Sequence, residues 1–233
     1  MQQPLLLLRQ DITFVNQKAG DIVNSLAADA CVDVENAEAG LDFPMYAADS
    51  GRNCYEHCLR LARWCGFDVS ATKEGKLLVA AFSNQGPAFT YTYGINVLDA
   101  SFKESVPLEG VQFAPESPSS QSGADTASWI IKDSSSQIGQ GGSGGAVLSE
   151  PALRTKTAAD SAAQALITFS KRDARRISIR VAGEPALDLM EVVELGNLPR
   201  EDWNGTYQVM LVRHHLSRKQ GFITDIGMGG IPE

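Results

Sequence analysis

Residues 138–146, Ile-Gly-Gln-Gly-Gly-Ser-Gly-Gly-Ala, satisfy two unrelated enzyme signatures at once. Gly139, Gly141 and Gly144 have the G-x-G-x-x-G spacing of a dinucleotide-binding turn, while Gly141, Ser143 and Gly145 have the G-x-S-x-G spacing of a hydrolase nucleophile elbow. Both signatures work only in context. A pyrophosphate is held by a helix that starts on the glycines directly after a strand, because the first amide N–H groups and the helix dipole point there. The elbow needs the same strand–turn–helix frame to expose its serine. Here a poor strand, Asp133 to Gln137, precedes the glycines, and Ala146 to Glu150 run straight into Pro151, leaving no room for the helix. A Ser–acid–His order exists along the chain, since His214 and His215 follow Ser143, but no spacing brings them to it. The expectation is a glycine-rich loop that matches both signatures by accident, with no cofactor and no catalytic residue.

Other groupings give no stronger chemistry. His214 and His215 are neighbours on an expected strand, so they point to opposite faces and do not share a metal ion. Glu191 and Glu194, three apart in a strand region, diverge in the same way. The cysteines are Cys31, Cys54, Cys58 and Cys65. Cys54, Cys58, Leu61 and Cys65 recur at helical spacing as one apolar stripe, where cysteine serves as a small hydrophobe. A metal site built from Cys54, His57 and Cys58 would lack the usual C-x-x-C knuckle, so no metal is expected.

The elements that would position these residues follow from periodicity. Residues 5–15 read as extended. A helix follows, with Ile22, Val23, Leu26, Ala27 and Ala30 on one face. Residues 32–53 read as a variable loop with a turn at Phe43-Pro44. The cysteine helix comes next, with Asp49 or Ser50 to cap it, Gly66 to end it, and Glu56 and Arg60 spaced for an i,i+4 pair. Lys73-Glu74-Gly75 closes a hairpin on a glycine in third place. Strand-like material continues through residues 88–105. Residues 115–150, rich in Ser, Gly, Pro and Gln, have too little apolar area to offset the entropy of ordering, with a short strand only at residues 128–132. A helix then buries Ala159, Ala162, Ala163, Leu166 and Ile167. The rest is β: Ile177, Ile179 and Val181 alternate with Ser178 and Arg180, a strand region spans residues 186–196, Asn204-Gly205 turns, and two strands meet across residues 218–221.

Together these give an α+β fold: a small helix–helix–hairpin domain, with strands of a partial barrel, over residues 1–115. A glycine- and serine-rich linker follows over 116–150, then an antiparallel β-barrel with one covering helix over 151–233. The chain has 233 residues, 43% of them hydrophobic and 21% charged, which suits a globular protein. A net charge of −8 argues against a protein whose main task is gripping nucleic acid through phosphates. The apolar run at Pro4 to Leu8 is too short to span a bilayer and no cleavage site follows it. A cytosolic or particle-assembled protein, with no membrane partner, is expected.

Three stretches resemble the phage late control protein D family, the tail baseplate hub, whose fold also forms the hub portion of type VI secretion spike proteins. Residues 21–34 resemble the family's first helix and turn. Residues 49–79 resemble its second helix, glycine stop and hairpin. Residues 176–197 with 203–226 resemble its closing barrel, most clearly at Gly183, Pro185 and Leu187, at Asn204-Gly205 with Tyr207, and at residues 213–222. The match covers about two thirds of the chain. Only about 15 residues precede the first helix, and residues 115–150 are longer and more polar than the family pattern, which implies an incomplete first barrel or a shortened hub.

The resemblance implies a mechanical function. It implies a homotrimer in a virion tail baseplate, assembled in the bacterial cytoplasm, that joins the tail tube protein to the central spike protein. Tyr207, Arg213, His215 and Phe222 in the final hairpin become the candidate subunit contacts. Two other classes remain: a small serine hydrolase using Ser143, and a peptide- or carbohydrate-binding β module, for which Trp129, Trp203 and a few tyrosines are the available aromatics.

Overall fold

The computed structural model describes residues 3–114 and 139–231. Its helices and strands are mixed, in keeping with the α+β class, and fall into two compact units that interleave along the chain. One unit comprises residues 1–81 and 108–167; the other comprises residues 82–107 and 168–233. The strand expected over residues 128–132 and its Trp129 lie outside the described residues.

The first unit opens differently from the extended reading of residues 5–15. Residues Gln3–Leu7 form a short helix, α1, which buries Leu5, and the strand β1 begins only at Ile12 (Ile12–Lys18). Helix α2 (Ala19–Asp29) follows, with Ile22, Val23, Leu26 and Ala27 buried as their spacing requires. The stretch expected as a loop contains two strands, β2 (Val34–Ala37) and β3 (Asp42–Ala48). Strand β3 pairs antiparallel with β1 and carries Phe43 and Tyr46 into the core. Pro44 is tolerated because the two-stranded register passes from Val15–Met45 to Gln17–Phe43 and skips the step where proline has no N–H to give.

Helix α3 (Cys54–Cys65) buries Cys54, Cys58 and Leu61, with Cys65 half-buried. Its cap is Asn53, not Asp49 or Ser50. The Asn53 side chain accepts from the Glu56 N–H at 2.9 Å, and the Glu56 carboxylate accepts from the Asn53 N–H at 2.9 Å. Engaged in this reciprocal box, Glu56 leaves Arg60 to pair with Glu150 instead. Gly66 ends the helix at φ +75°, a left-handed residue that donates to Ala62 and Arg63. The hairpin β4 (Phe67–Ala71) and β5 (Leu77–Ala81) closes through Thr72 N–H to Lys76 O at 2.9 Å, leaving residues 73–75 as its loop with Gly75 at φ +84°. Strand β2 adds to β5 in parallel.

In the second unit, β6 (Pro87–Thr92), β7 (Val97–Glu104), β11 (Arg175–Ala182), β12 (Val192–Gly196), β13 (Gly205–Ser217) and β14 (Gly221–Gly230) form one curled, half-barrel sheet. The order is β6-β12-β13-β14-β11-β7. Consecutive strands lie side by side only in β12-β13-β14. Strand β11 lies beside β14 rather than β12, and β6 joins β12 in parallel, so long-range pairing decides the rest. Ile177, Ile179 and Val181 are buried on one face as expected, with Trp203, Leu195 and Ile226 in the same core.

Helix α4 (Lys156–Ala174) buries Ala159, Ala162, Ala163 and Ile167 in the first unit, with Leu166 packed at the core's margin. Its last turn lies in the second unit, where Arg172 packs against Gly229 and reaches Gln208 Oε1 at 3.3 Å. Replacing Asn53 by Ala removes the α3 cap and costs about 1 kcal/mol in urea unfolding, whereas Ser50→Ala leaves the midpoint within error.

Candidate functional site

The glycine segment is not a loop. Residues Gly139–Gly142 form strand β9 and Ala146–Ser149 form β10, which flank β8 (Gly110–Ala114), β9 antiparallel and β10 parallel. Gly139 and Gly141 are buried and alternate with exposed Gln140 and Gly142. They lie directly on α4. A methyl group at Gly139 would collide with the Cβ and carbonyl carbon of Ala159, and one at Gly141 would stand 2.8 Å from Ala163 C and 2.9 Å from Gln164 N. The two-residue period of the glycines thus meets the four-residue period of Ala159 and Ala163, and strand backbone rests on helix backbone. A bond from Gln140 N–H to Asp160 Oδ1 at 2.8 Å pins the contact.

Ser143 follows β9 in an exposed bend between two strands, flanked by Gly142 at φ +66° and Gly144 at φ +72°. No helix starts there, so neither the nucleotide turn nor the nucleophile elbow is formed. The chain has three histidines, and each has other partners. His57, buried in α3, takes the Tyr46 hydroxyl at Nδ1 (2.7 Å) and the Asp49 carbonyl at Nε2 (3.0 Å). A carbonyl only accepts, so Nε2 carries the proton and Nδ1 accepts from Tyr46. That locks the tautomer and leaves no lone pair for a metal. Burial pushes the Cys58 thiol up to about 12 and the Cys65 thiol up to about 11, which keeps both protonated and unreactive. Among the described residues no group of three His, Cys, Asp or Glu side chains is placed to hold a metal ion.

The other two histidines lie on the β13–β14 hairpin, on opposite faces as expected. His214 Nδ1 is 3.0 Å from Thr224 Oγ1, and His215 Nε2 is 3.2 Å from Asp225 Oδ2. Of the four candidate contact residues, Tyr207 is 5% exposed and donates its hydroxyl to Trp203 O at 2.8 Å, so its ring is core. Arg213 and His215 are exposed on β13. Phe222 is partly exposed; its ring packs over Gly183, where a Cβ would overlap it, and sits 5.5 Å from the His214 ring. Leu216, near the hairpin tip, is 84% exposed.

The sheet also aligns charges that the sequence keeps far apart. Arg213 on β13, Asp225 on β14, Arg180 on β11 and Asp99 on β7 stand directly opposite one another in sequence of strands. Arg180 donates to both Asp225 oxygens, at 2.7 and 3.1 Å. Those hydrogen bonds hold the Asp225 carboxyl below the usual carboxylate range, with the charges of Arg180 and His215 adding and burial opposing. The alternation of Arg180 with buried neighbours is readable in the sequence; its row of partners is not.

No protein-family profile and no curated protein matches the sequence. Solved structures do match its fold. The 43 kDa tail protein of prophage MuSo2 from Shewanella oneidensis superposes with a TM-score of 0.72 at 15% identity, covering 97% of this chain and 70% of that one. A tail protein from Neisseria meningitidis MC58 gives 0.67 at 15% identity, over 97% and 71% of the two chains. The E. coli c3393 protein, described as a type VI secretion component structurally similar to the T4 tail proteins gp27 and gp5, gives 0.57 at 10% identity, over 99% and 53%. The mixed α/β fold is therefore shared with solved phage tail proteins and with a type VI secretion component.

Two outcomes follow from these geometries. Gly141→Val overpacks the β9–α4 contact and costs about 1–3 kcal/mol in denaturant unfolding, whereas Ser143→Ala changes stability by less than about 0.5 kcal/mol. A carboxylate more acidic in the folded than in the unfolded chain stabilises the fold above its unfolded pKa, and that contribution is lost as pH falls through the folded value. Acidification below about pH 4 therefore weakens the β11–β14 pairing, seen as faster amide exchange at residues 223–226, and Asp225→Asn removes this acid dependence.

Proposed function

We propose that this chain is a structural component of a phage tail or related contractile injection system, acting as the baseplate hub between tail tube and central spike. The observation that carries the reading is the superposition of 97% of the chain on a phage tail protein. No reaction is part of it. The serine-hydrolase alternative has no support, because Ser143 sits between two strands and every histidine is engaged elsewhere.

In this reading the chain assembles as a homotrimer, binds the tube protein on one side and the spike protein on the other, and resides in the virion tail baseplate after assembly in the bacterial cytoplasm. The half-barrel sheet of the second unit contributes the ring's barrel wall. A mechanical joint needs broad, shape-specific contact rather than a reactive cleft, and sheet edges supply it through backbone pairing. The exposed hairpin end, with Arg213, His215, Leu216 and Phe222, is where such contact begins.

Light scattering over a range of concentrations is expected to give three times the chain mass, and Leu216→Asp is expected to shift the distribution toward monomer. A chain that stays monomeric throughout and binds neither tube nor spike protein overturns the reading.

A further inference from the structure

Besides the end strand β6, two strands of the six-stranded sheet leave an edge unpaired among the described residues. Strand β7 is the sheet's last strand; over Asp99–Glu104 it pairs only with β11. Strand β13 pairs with β12 over Gly205–Gln208, and Val209 bonds to Met190 and Glu191, but from Leu211 to Ser217 only β14 accompanies it. Such edges expose backbone N–H and C=O groups that another strand can take up.

The two edges carry opposite charges in the same transverse row. Within the row Arg180 and Asp225 satisfy each other. The outer members lie at the two edges. Arg213, at the β13 edge, and Asp99, at the β7 edge, are exposed; Asp99 accepts from the Ala100 N–H at 3.0 Å and its charge acts on Arg180, but neither residue forms a close ion pair among the described residues. The row therefore reads plus, minus, plus, minus, with a cation at one edge and an anion at the other.

We infer that copies of this chain join head to tail, the β13 edge of one lying beside the β7 edge of the next, with Arg213 of one copy paired to Asp99 of the other. The strands β13, β14, β11 and β7 alternate in direction, so a neighbour's β7 continues the sheet antiparallel to β13. With Asp99 opposite Arg213, Ser101 falls opposite Leu211 and, past the bulge at Leu98, Val97 falls opposite His214, and no like charges meet. Leu211, 47% exposed, and Leu98, bulged out of the β7 register and 64% exposed, supply apolar area beside the ion pair. A two-fold β13–β13 contact would instead gather the Arg213 and His215 side chains of both copies, which disfavours it. Different patches meeting head to tail close into rings by rotation, as a trimer requires. The inference rests on the assembly reading above and adds which strands and which residues meet.

Asp99→Arg and Arg213→Asp, each at an exposed position, test it by equilibrium sedimentation, with circular dichroism to confirm folding. Each single reversal is expected to weaken self-association about tenfold or more, and the double variant to recover it. Rising salt is expected to weaken the wild-type assembly. A wild-type trimer indifferent to both reversals, or a double variant no better than the singles, overturns the inference and leaves the assembly reading intact. A wild type that stays monomeric overturns both.

Discussion

An open β-sheet ends in two strands whose outward backbone groups have no partner, and a strand that outruns its neighbour adds a third exposed row. This constraint governs the second unit. Burying those groups unpaired is costly, and exposing them to any passing strand invites aggregation. The chain keeps them in water and attaches charges to them, Arg213 on one edge and Asp99 on another. A lone charge at an edge repels most partners, because pairing would desolvate it without compensation. A complementary charge on the incoming strand removes that penalty. The same residues that suppress promiscuous pairing thus select one kind of partner.

The first unit resolves a different constraint, the approach of a strand to a helix. Side chains normally hold a sheet and a helix well apart. Gly139 and Gly141 on β9, facing Ala159 and Ala163 on α4, let the backbones touch. Glycine is costly in a strand, since it loses more chain entropy than other residues on ordering. The close dispersion contact and the Gln140–Asp160 hydrogen bond offset that cost. The segment that most resembles an active site is therefore explained without a ligand, Gly139 and Gly141 by their contact with α4 and Gly142 and Gly144 by their left-handed backbone.

What the sequence made legible was local. The apolar faces of α2 and α3, the alanine face of α4, the left-handed stop at Gly66 and the three-residue hairpin loop at residues 73–75 all follow from spacing within one element. What escaped depends on partners far along the chain. Strand β2 is short and half polar, and it exists because β5 lies beside it. Strand β9 contradicts its own propensity and is ordered by β8 and α4. The α3 cap is expected at Asp49 or Ser50 from the sequence, but the reciprocal bond with Glu56 puts it at Asn53. Tyr207, a candidate subunit contact by its place in the final hairpin, is buried instead, its hydroxyl donating to the carbonyl of Trp203.

The charge row shows why the candidate interface belonged to this second class. Asp99, Arg180, Arg213 and Asp225 are scattered over more than half of the chain, and no window of sequence contains them all. Register alone unites them, because residues directly opposite on neighbouring strands face the same side of the sheet. Sliding any one of these strands by a single residue would send its charge to the core face. The apolar residues of the core, Ile177, Ile179 and Ile226 among them, forbid that slip. The hydrophobic interior thus fixes the positions of surface charges it never touches. Recognition at the edge inherits its precision from packing beneath the sheet.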